Sequence, residues 1–266
     1  MATVDPWAAL AERFVEGHYG SLRGRVRTHV IDRQLRLHLP PPPCALIDVG
    51  GGAGNQSIPL ARDGYQVTIV DPSPAMLDRA RARLRAEAGT VADRVRLVQA
   101  TAEEAADAVG GQQFAGVLCH GVIMYVPDPR PFVAGLARLA RPGAVVSVVA
   151  KNARMLAARP ALEGKWAQAL QAFDASNQVN GLGLDTRGDR LEDLTALLSG
   201  HGIERVAWYG VRLFTDGWTP QEAAGGAEDE IFAVEYEASR RDPYRLMSRL
   251  FHVVGRSLRG FASSGS

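Results

Sequence analysis

Residues 45–61 read ALIDVGGGAGNQSIPLA, and this stretch decides the fold. Ala45-Leu46-Ile47-Asp48-Val49 is short and mostly apolar, as a strand covered on both faces should be. Gly50, Gly51, Gly52 and Gly54 follow, with Ala53 among them, and Ile58, Leu60 and Ala61 then begin a helical pattern. Strand, glycine turn and helix let a backbone approach a ligand closely, because no Cβ stands in the way. The spacing narrows the ligand. A dinucleotide fingerprint needs G-x-G-x-x-G. Counted from Gly50, its last glycine would fall on Asn55; counted from Gly51, its middle one would fall on Ala53. The chain instead has G-x-G-x-G at Gly50, Gly52 and Gly54, preceded by Asp48. Many plain strand-helix turns also carry glycine, so a second motif is needed.

It lies one strand further on. Tyr65 to Val70 alternates as a second strand and ends at Asp71, and Pro72-Ser73-Pro74 opens a helix holding Met76, Leu77, Ala80 and Leu84. A carboxylate closing that strand can accept both hydroxyls of a ribose. Such charge-assisted bonds are worth about 1.5–3 kcal/mol each. A helix N-cap role for Asp71 is the weaker reading, because Ser73 is better placed for it. The G-x-G-x-G turn with Asp48 before it and Asp71 after it resembles the first motifs of class I S-adenosylmethionine-dependent methyltransferases. The resemblance implies an α/β, Rossmann-like fold: seven strands, mostly parallel, with helices on both faces. It also implies S-adenosyl-L-methionine as cofactor and S-adenosyl-L-homocysteine as product.

The following segments fit that plan. Val95 to Val98 is a third strand, followed by Thr101-Ala102-Glu103. Many methyltransferases carry an acidic residue here that binds the adenine amino group. Thr101 stands where Asp is common, which leaves the adenine to the Ala102 backbone and to Glu103; Glu103 reads equally well as a first-turn helix charge. Phe114 to Cys119 is a fourth strand, with His120 at its carboxyl end. Loops there face the ligand crevice, so His120 is a candidate for packing on the cofactor, for hydrogen bonding or for general base catalysis. A helix from Pro131 to Leu139 and a turn at Arg141-Pro142-Gly143 lead to a fifth strand, Ala144 to Ala150.

The ends and the middle differ in character. Residues 5–39 read as helical, with one apolar stripe at Trp7, Leu10, Phe14 and Val15 and another at Val26, Val30, Ile31 and Leu35. Arg23, Arg25 and Arg27 alternate between them and cannot all face one way on a helix, so at least one can turn inward to meet an anion. After Lys151 the pattern degrades. Trp166, Leu170 and Phe173 suggest a short amphipathic helix, and Asn177 to Gly183 a loop. Leu191 to Leu198 resumes a helix and Ile203 to Phe214 a long strand. Glu222 to Arg240 and Tyr244 to Leu250 read as helices, and Phe251 to Arg256 as the last strand. The expected organisation is a helical lid at 1–40, the cofactor-binding core at 41–151, a cap insertion at 152–188, the remainder of the core at 189–259 and a disordered tail at 260–266.

Composition excludes several classes. The chain has 266 residues and a formal net charge of +1, so no global basic field of the kind that dominates nucleic-acid binding is present. Lys151 and Lys165 are the only lysines. The two cysteines, Cys44 and Cys119, sit in or beside strands and read as buried thiols. No apolar run approaches membrane-spanning length and the N-terminus lacks a signal-peptide core, so a soluble cytoplasmic protein is expected. No His/Cys cluster has metal spacing, and neither a nucleophile elbow nor a P-loop is found.

A narrower resemblance runs from about Phe14 to Arg256. Tyr19-Gly20…Gly24…Arg27, Asp48…Gly50-Gly51-Gly52, His120 with Val122, Tyr125-Val126…Asp128-Pro129, Asn152, Gly210-Val211-Arg212…Phe214…Asp216 and Pro243-Tyr244…His252-Val253 are similar to the family that methylates 5-carboxymethoxyuridine at the tRNA wobble position. This implies that Arg27 binds the cofactor at its methionine carboxylate, and that Gly50, Gly51, Asp71, Ala102, Glu103 and His120 contact it too. Asp48, Gly52, Pro72 and Thr101 complete the candidate cofactor set. That family has a lysine-rich run after the fifth strand; here Arg159 to Arg187 offers Lys165 and scattered arginines. The acceptor is therefore either tRNA or a small molecule, with Arg240, Arg241, Arg245, Arg249, Arg256 and Arg259 as another candidate RNA patch or a solvated face. The expected reaction is in-line methyl transfer to oxygen or nitrogen. A carboxylate acceptor needs no base and could be held by Arg212; a phenol or amine would make His120 the base.

Overall fold

The computed structural model describes residue 17, residues 19–218 and residues 227–258, and the features below concern these residues. The N-terminal stripe from Trp7 to Val15 and the tail from 260 lie outside them. Helix α1 spans Leu22–Arg36, capped by the Ser21 hydroxyl accepting from the Gly24 N–H. Then follow β1 (Ala45–Val49), α2 (Ser57–Arg62), β2 (Gln66–Asp71), α3 (Pro74–Leu84), α4 (Gly89–Ala92), β3 (Val95–Gln99), α5 (Ala105–Ala108), β4 (Phe114–His120), α6 (Pro129–Leu139) and β5 (Ala140–Lys151). The chain continues with α7 (Ala158–Leu162), α8 (Trp166–Ala172), β6 (Asn177–Val179), β7 (Asp185–Arg187), α9 (Leu191–Gly200), β8 (Ile203–Val211), α10 (Glu228–Ser239) and β9 (Leu250–Ser257).

Seven strands form one sheet in the order β3-β2-β1-β4-β5-β9-β8. The first five pair in parallel, β9 runs antiparallel to β5, and β8 antiparallel to β9. The seven-stranded, mostly parallel sheet expected from the sequence is thus present. The strand order reverses between β1 and β4, and ligands of open α/β sheets bind at such a switch point, beyond the carboxyl ends of the strands.

Alternation along the strands decides which residues reach which face. Ile47, Val49, Val117, Cys119, Val146, Val148, Phe251 and Val253 join Phe132, Leu136 and Leu194 in the larger core beneath α6 and α9. The alternate positions face α1: Leu46 and Leu118 pack with Leu35, and Val149, Val211 and Leu250 pack with Ile31. His120, Ser147, Lys151 and His252 have the same parity, so they stand on the α1 face of the sheet. Helix α1 is in turn covered by α10, through Leu22, Val26, Val30 and Tyr236.

Four segments depart from the sequence reading. The loop expected at Asn177 to Gly183 belongs to a two-stranded hairpin, β6 with β7; strands of three residues are too short to show a period. Arg141-Pro142-Gly143 lies within β5 rather than ahead of it. The long strand stops at Val211, because Arg212 takes a left-handed φ of 62° and the Glu235 carboxylate captures the N–H groups of Leu213 and Thr215. Tyr244 to Leu250 is a 3-10 turn at Tyr244–Met247 followed by β9, since the Asn152 amide holds the Leu246 and Ser248 carbonyls and pairing with β5 then takes over. Trp166, Leu170 and Phe173 lie on α8 or at its end, and all three are exposed. Both cysteines are free thiols, Cys119 buried and Cys44 half-buried.

Candidate functional site

The glycine turn after β1 is a fixed object. Gly50, Gly52 and Gly54 have φ of 73°, 53° and 73°, a region that side chains rarely occupy. A Cβ on Gly50 would stand 2.3 Å from Val122 Cγ2, and one on Gly51 would stand 2.7 Å from Asp48 Oδ2. Asp48 lies beneath the turn and outside the cavity lining. Its Oδ2 accepts from the Ser57 hydroxyl at 2.6 Å, and burial pushes its carboxyl up to about 6 against the opposing effect of that bond. Asp48 therefore supports the turn from behind.

Asp71 holds the turn from the other side. One carboxylate oxygen accepts from the Gly52 N–H at 2.9 Å and the other from the Ser73 N–H at 2.9 Å. Ser73 caps α3 by accepting from the Met76 N–H. The residue lines a cavity of about 280 Å³. Gly50, Gly51, Gly52, Pro72, Thr101, Ala102, Glu103 and His120 line the same cavity. Thr101 and Glu104 cap each other at the start of α5, through the Thr101 N–H and hydroxyl and the Glu104 carboxylate. Glu103 is left exposed at the rim. Asn55, Met76, Val122 and Phe132 complete the wall. Of these the sequence reading named Val122, with His120, in the narrower resemblance, but assigned none of them to the site, since apolar or amide residues next to a motif carry no signal of their own.

A second, larger chamber of about 670 Å³ adjoins the first, and Tyr19, His120, Gly121 and Tyr125 line both. Its wall is strongly basic: Arg23, Arg27, Lys151, Arg159, Lys165, Arg212 and Arg249, against the Glu163 carboxylate. The three alternating arginines of α1 divide as helical geometry requires. Arg27 is buried, Arg23 faces the chamber, and Arg25 turns outward to pair with Glu228. The Arg27 guanidinium donates to the His120 carbonyl at 2.8 Å and to the Tyr19 hydroxyl at 3.1 Å, so it stands at the partition, on the side of the second chamber. Arg212 is 8% exposed and ion-paired with Asp216, and its Nε–H has no partner among the described residues. Burial beside Arg249 pushes the Lys151 ammonium down to about 7, and its Nζ donates to Thr186 Oγ1 at 2.7 Å.

The C-terminal arginines do not form one patch. Arg249 faces the chamber, Arg240 and Arg241 pair with Glu237, Arg245 pairs with Asp242 over Trp208, and Arg256 binds the Gly143 and His38 carbonyls. Arg259 lies outside the described residues. No described helix is long and apolar enough to cross a membrane, and no group of three or more metal-ligating side chains is found among the described residues.

Comparison with known proteins decides what such a pair of chambers belongs to. Residues 47–146 match the family profile described as the methyltransferase domain. The chain carries a methyltransferase domain. With the class I sheet order and a glycine turn facing a carboxylate, it is an S-adenosylmethionine-dependent methyltransferase. Among its relatives, the tRNA 5-carboxymethoxyuridine methyltransferase of Escherichia coli K12 is 28% identical over 251 residues, 93% of this chain and 94% of that one. The ubiquinone biosynthesis O-methyltransferase of Erwinia tasmaniensis is 40% identical over 101 residues, which is 38% of this chain and 40% of that one. Two solved structures share the fold. The CcbJ methyltransferase of Streptomyces caelestis has a TM-score of 0.59 at 15% identity, covering 86% of this chain and 89% of that one. The glycopeptide N-methyltransferase MtfA with S-adenosyl-L-methionine has a TM-score of 0.55 at 14% identity, covering 86% and 94%.

Proposed function

We propose that the methyltransferase moves the methyl group to a carboxylate oxygen of an anionic acceptor held in the basic chamber, with a carboxymethoxy-modified tRNA nucleoside as the favoured acceptor. The observation that carries this reading is the cationic wall of that chamber, where Arg212 is joined by four further arginines and two lysines. A carboxylate in that chamber would gain charge-assisted hydrogen bonds from such side chains. The relative that matches nearly the whole chain is named for a carboxymethoxyuridine acceptor. Ubiquinone-pathway relatives match from 38% to 62% of the chain.

The residues of the smaller cavity fit the donor. Asp71 presents a carboxylate residue to the ribose, the bare backbone of Gly50 to Gly52 admits the methionine portion, and Thr101 to Glu103 border the adenine end. Arg27, fixed between Tyr19 and the His120 carbonyl, stands where a methionine carboxylate and an acceptor anion would meet. When bound, S-adenosyl-L-methionine supplies an electrophilic sulfonium methyl. The C–O bond forms as the S–CH3 bond breaks, and the electron pair stays on sulfur. A carboxylate is already a nucleophile, so the chain need only align it and keep water out, effects worth up to about 7–11 kcal/mol in favourable cases. Burial, His252 and Arg27 hold His120 well below the usual imidazole range, so its ring is neutral beside the site.

The test is incubation with labelled cofactor and bulk tRNA, with small organic acids in parallel, followed by nucleoside mass spectrometry. An alkali-labile methyl ester on a carboxymethoxy nucleoside is the expected product. An alkali-stable methyl on a phenol or amine overturns the carboxylate reading.

A further inference from the structure

His120 is not an isolated ring. Its Nε2 lies 2.8 Å from Ser147 Oγ, which lies 2.6 Å from His252 Nε2. His252 Nδ1 lies 2.8 Å from Gln34 Oε1, and Gln34 Nε2 donates to the Gly210 carbonyl at 3.0 Å. Gln34, Ser147 and His252 are fully buried, and the four side chains come from α1, β4, β5 and β9. His120 Nδ1 is the one fully buried histidine ring nitrogen without a hydrogen-bond partner among the described residues.

The far end sets the direction of every bond. A carbonyl only accepts, so Gln34 must present its NH2 group to Gly210 and its oxygen to His252. That oxygen also only accepts, so His252 carries its proton on Nδ1. Burial, reinforced by His38 and Arg27, pushes His252 down to about 3, so its ring is neutral and Nε2 is a bare acceptor. The single Ser147 hydroxyl proton is therefore committed to His252. Ser147 Oγ must then accept from His120, which places the His120 proton on Nε2 and leaves Nδ1 with a bare lone pair. We propose that Gln34, His252 and Ser147 are positioning residues that fix the ring of His120, a residue lining both chambers, as the neutral tautomer protonated at Nε2 with a bare Nδ1.

The role of His120 at the site rests on the functional reading above, but its tautomer does not. The groups facing the two rings are Arg27 from α1, His38 and Tyr209 beside His252, and Tyr19 and Tyr125 at the chamber wall. The test uses the full-length protein labelled with 15N-histidine, without ligand, at neutral pH, with the His120 signals assigned by their loss in His120→Gln. Ring-nitrogen spectra should show two neutral histidines of opposite tautomer, His252 protonated at Nδ1 and His120 at Nε2. The same tautomer at both sites, or an imidazolium at either, overturns the proposal. Gln34→Met removes the acceptor that sets the direction, and His120 should then populate its Nδ1–H form although residue 34 does not touch it. Gln34→Glu, protonated in the core, keeps both the donor to Gly210 and the acceptor for His252 and should restore the original tautomer. A folded Gln34→Met protein with unchanged His120 tautomer also overturns it. If Gln34→Met does not fold, the wild-type spectrum alone decides. If the tautomers are as stated but the methylation product is not an ester, this inference stands and only the acceptor reading fails.

Discussion

Replacing Asp71 with alanine tests whether one carboxylate both holds the glycine turn and, as proposed, binds the cofactor ribose. Its oxygens accept from the Gly52 and Ser73 N–H groups, and the residue lines the smaller cavity. The proposed ribose role rests on the place of Asp71 in that lining. Losing one charge-assisted bond of about 1.5–3 kcal/mol weakens binding by roughly ten- to a hundredfold. Losing the bond to the buried Gly52 N–H costs about 1–3 kcal/mol of stability on its own. Affinity alone would confuse these effects, so a double-mutant cycle is needed. Wild-type and Asp71→Ala proteins are titrated calorimetrically with S-adenosyl-L-homocysteine and with its 2′,3′-dideoxy analogue. The wild type should lose at least tenfold in affinity when the hydroxyls are removed, while Asp71→Ala should bind the two ligands within about twofold of each other. If Asp71→Ala still discriminates between the ligands as the wild type does, the carboxylate only shapes the turn and the ribose assignment is wrong.

Two other buried titrations give predictions with defined signs. The Asp48 carboxyl, raised from 3.8 to about 6, binds a proton in the folded state where the unfolded chain does not, so stability falls as pH rises between those values. The displacement corresponds to about 3 kcal/mol, and Asp48→Asn should gain on the wild type by that order between pH 4 and pH 7 in chemical denaturation. A pH-independent difference would show that the carboxylate is not desolvated. Lys151, lowered from 10.5 to about 7, is neutral in the folded state where the unfolded chain is charged, so wild-type stability should rise with pH across that range. Lys151→Met should flatten the rise, and melting curves with parallel pH dependence would refute the burial argument.

How much could be read from the chain depended on sequence distance. The glycine turn, Asp71 and the Ser73 cap lie within 45–76, and each is dictated by local geometry: no Cβ at a positive φ, an acceptor at a strand end, a hydroxyl before a helix. The alternation of strand and helix fixed the parallel half of the sheet for the same reason, since burial on two faces writes a continuous apolar run. The hairpin at 177–187 and the stop after Val211 escaped, because a three-residue strand has no measurable period and the stop depends on Glu235 from a helix some twenty residues away.

The sequence by itself determined an alternating strand–helix core with a glycine turn after its first strand, since those follow from neighbours along the chain and the apolar runs of buried strands, and its motifs resembled those of class I methyltransferases. Only the tertiary structure decided that Arg23, Lys151, Arg212 and Arg249 share one chamber with Arg27, and that His120 reaches Gly210 through Ser147, His252 and Gln34. Consecutive links in that chain join residues 27, 105, 218 and 176 positions apart. No local propensity encodes such a link: the direction of each hydrogen bond is set by a carbonyl that can only accept, and that constraint exists only once the sheet and α1 have been packed together.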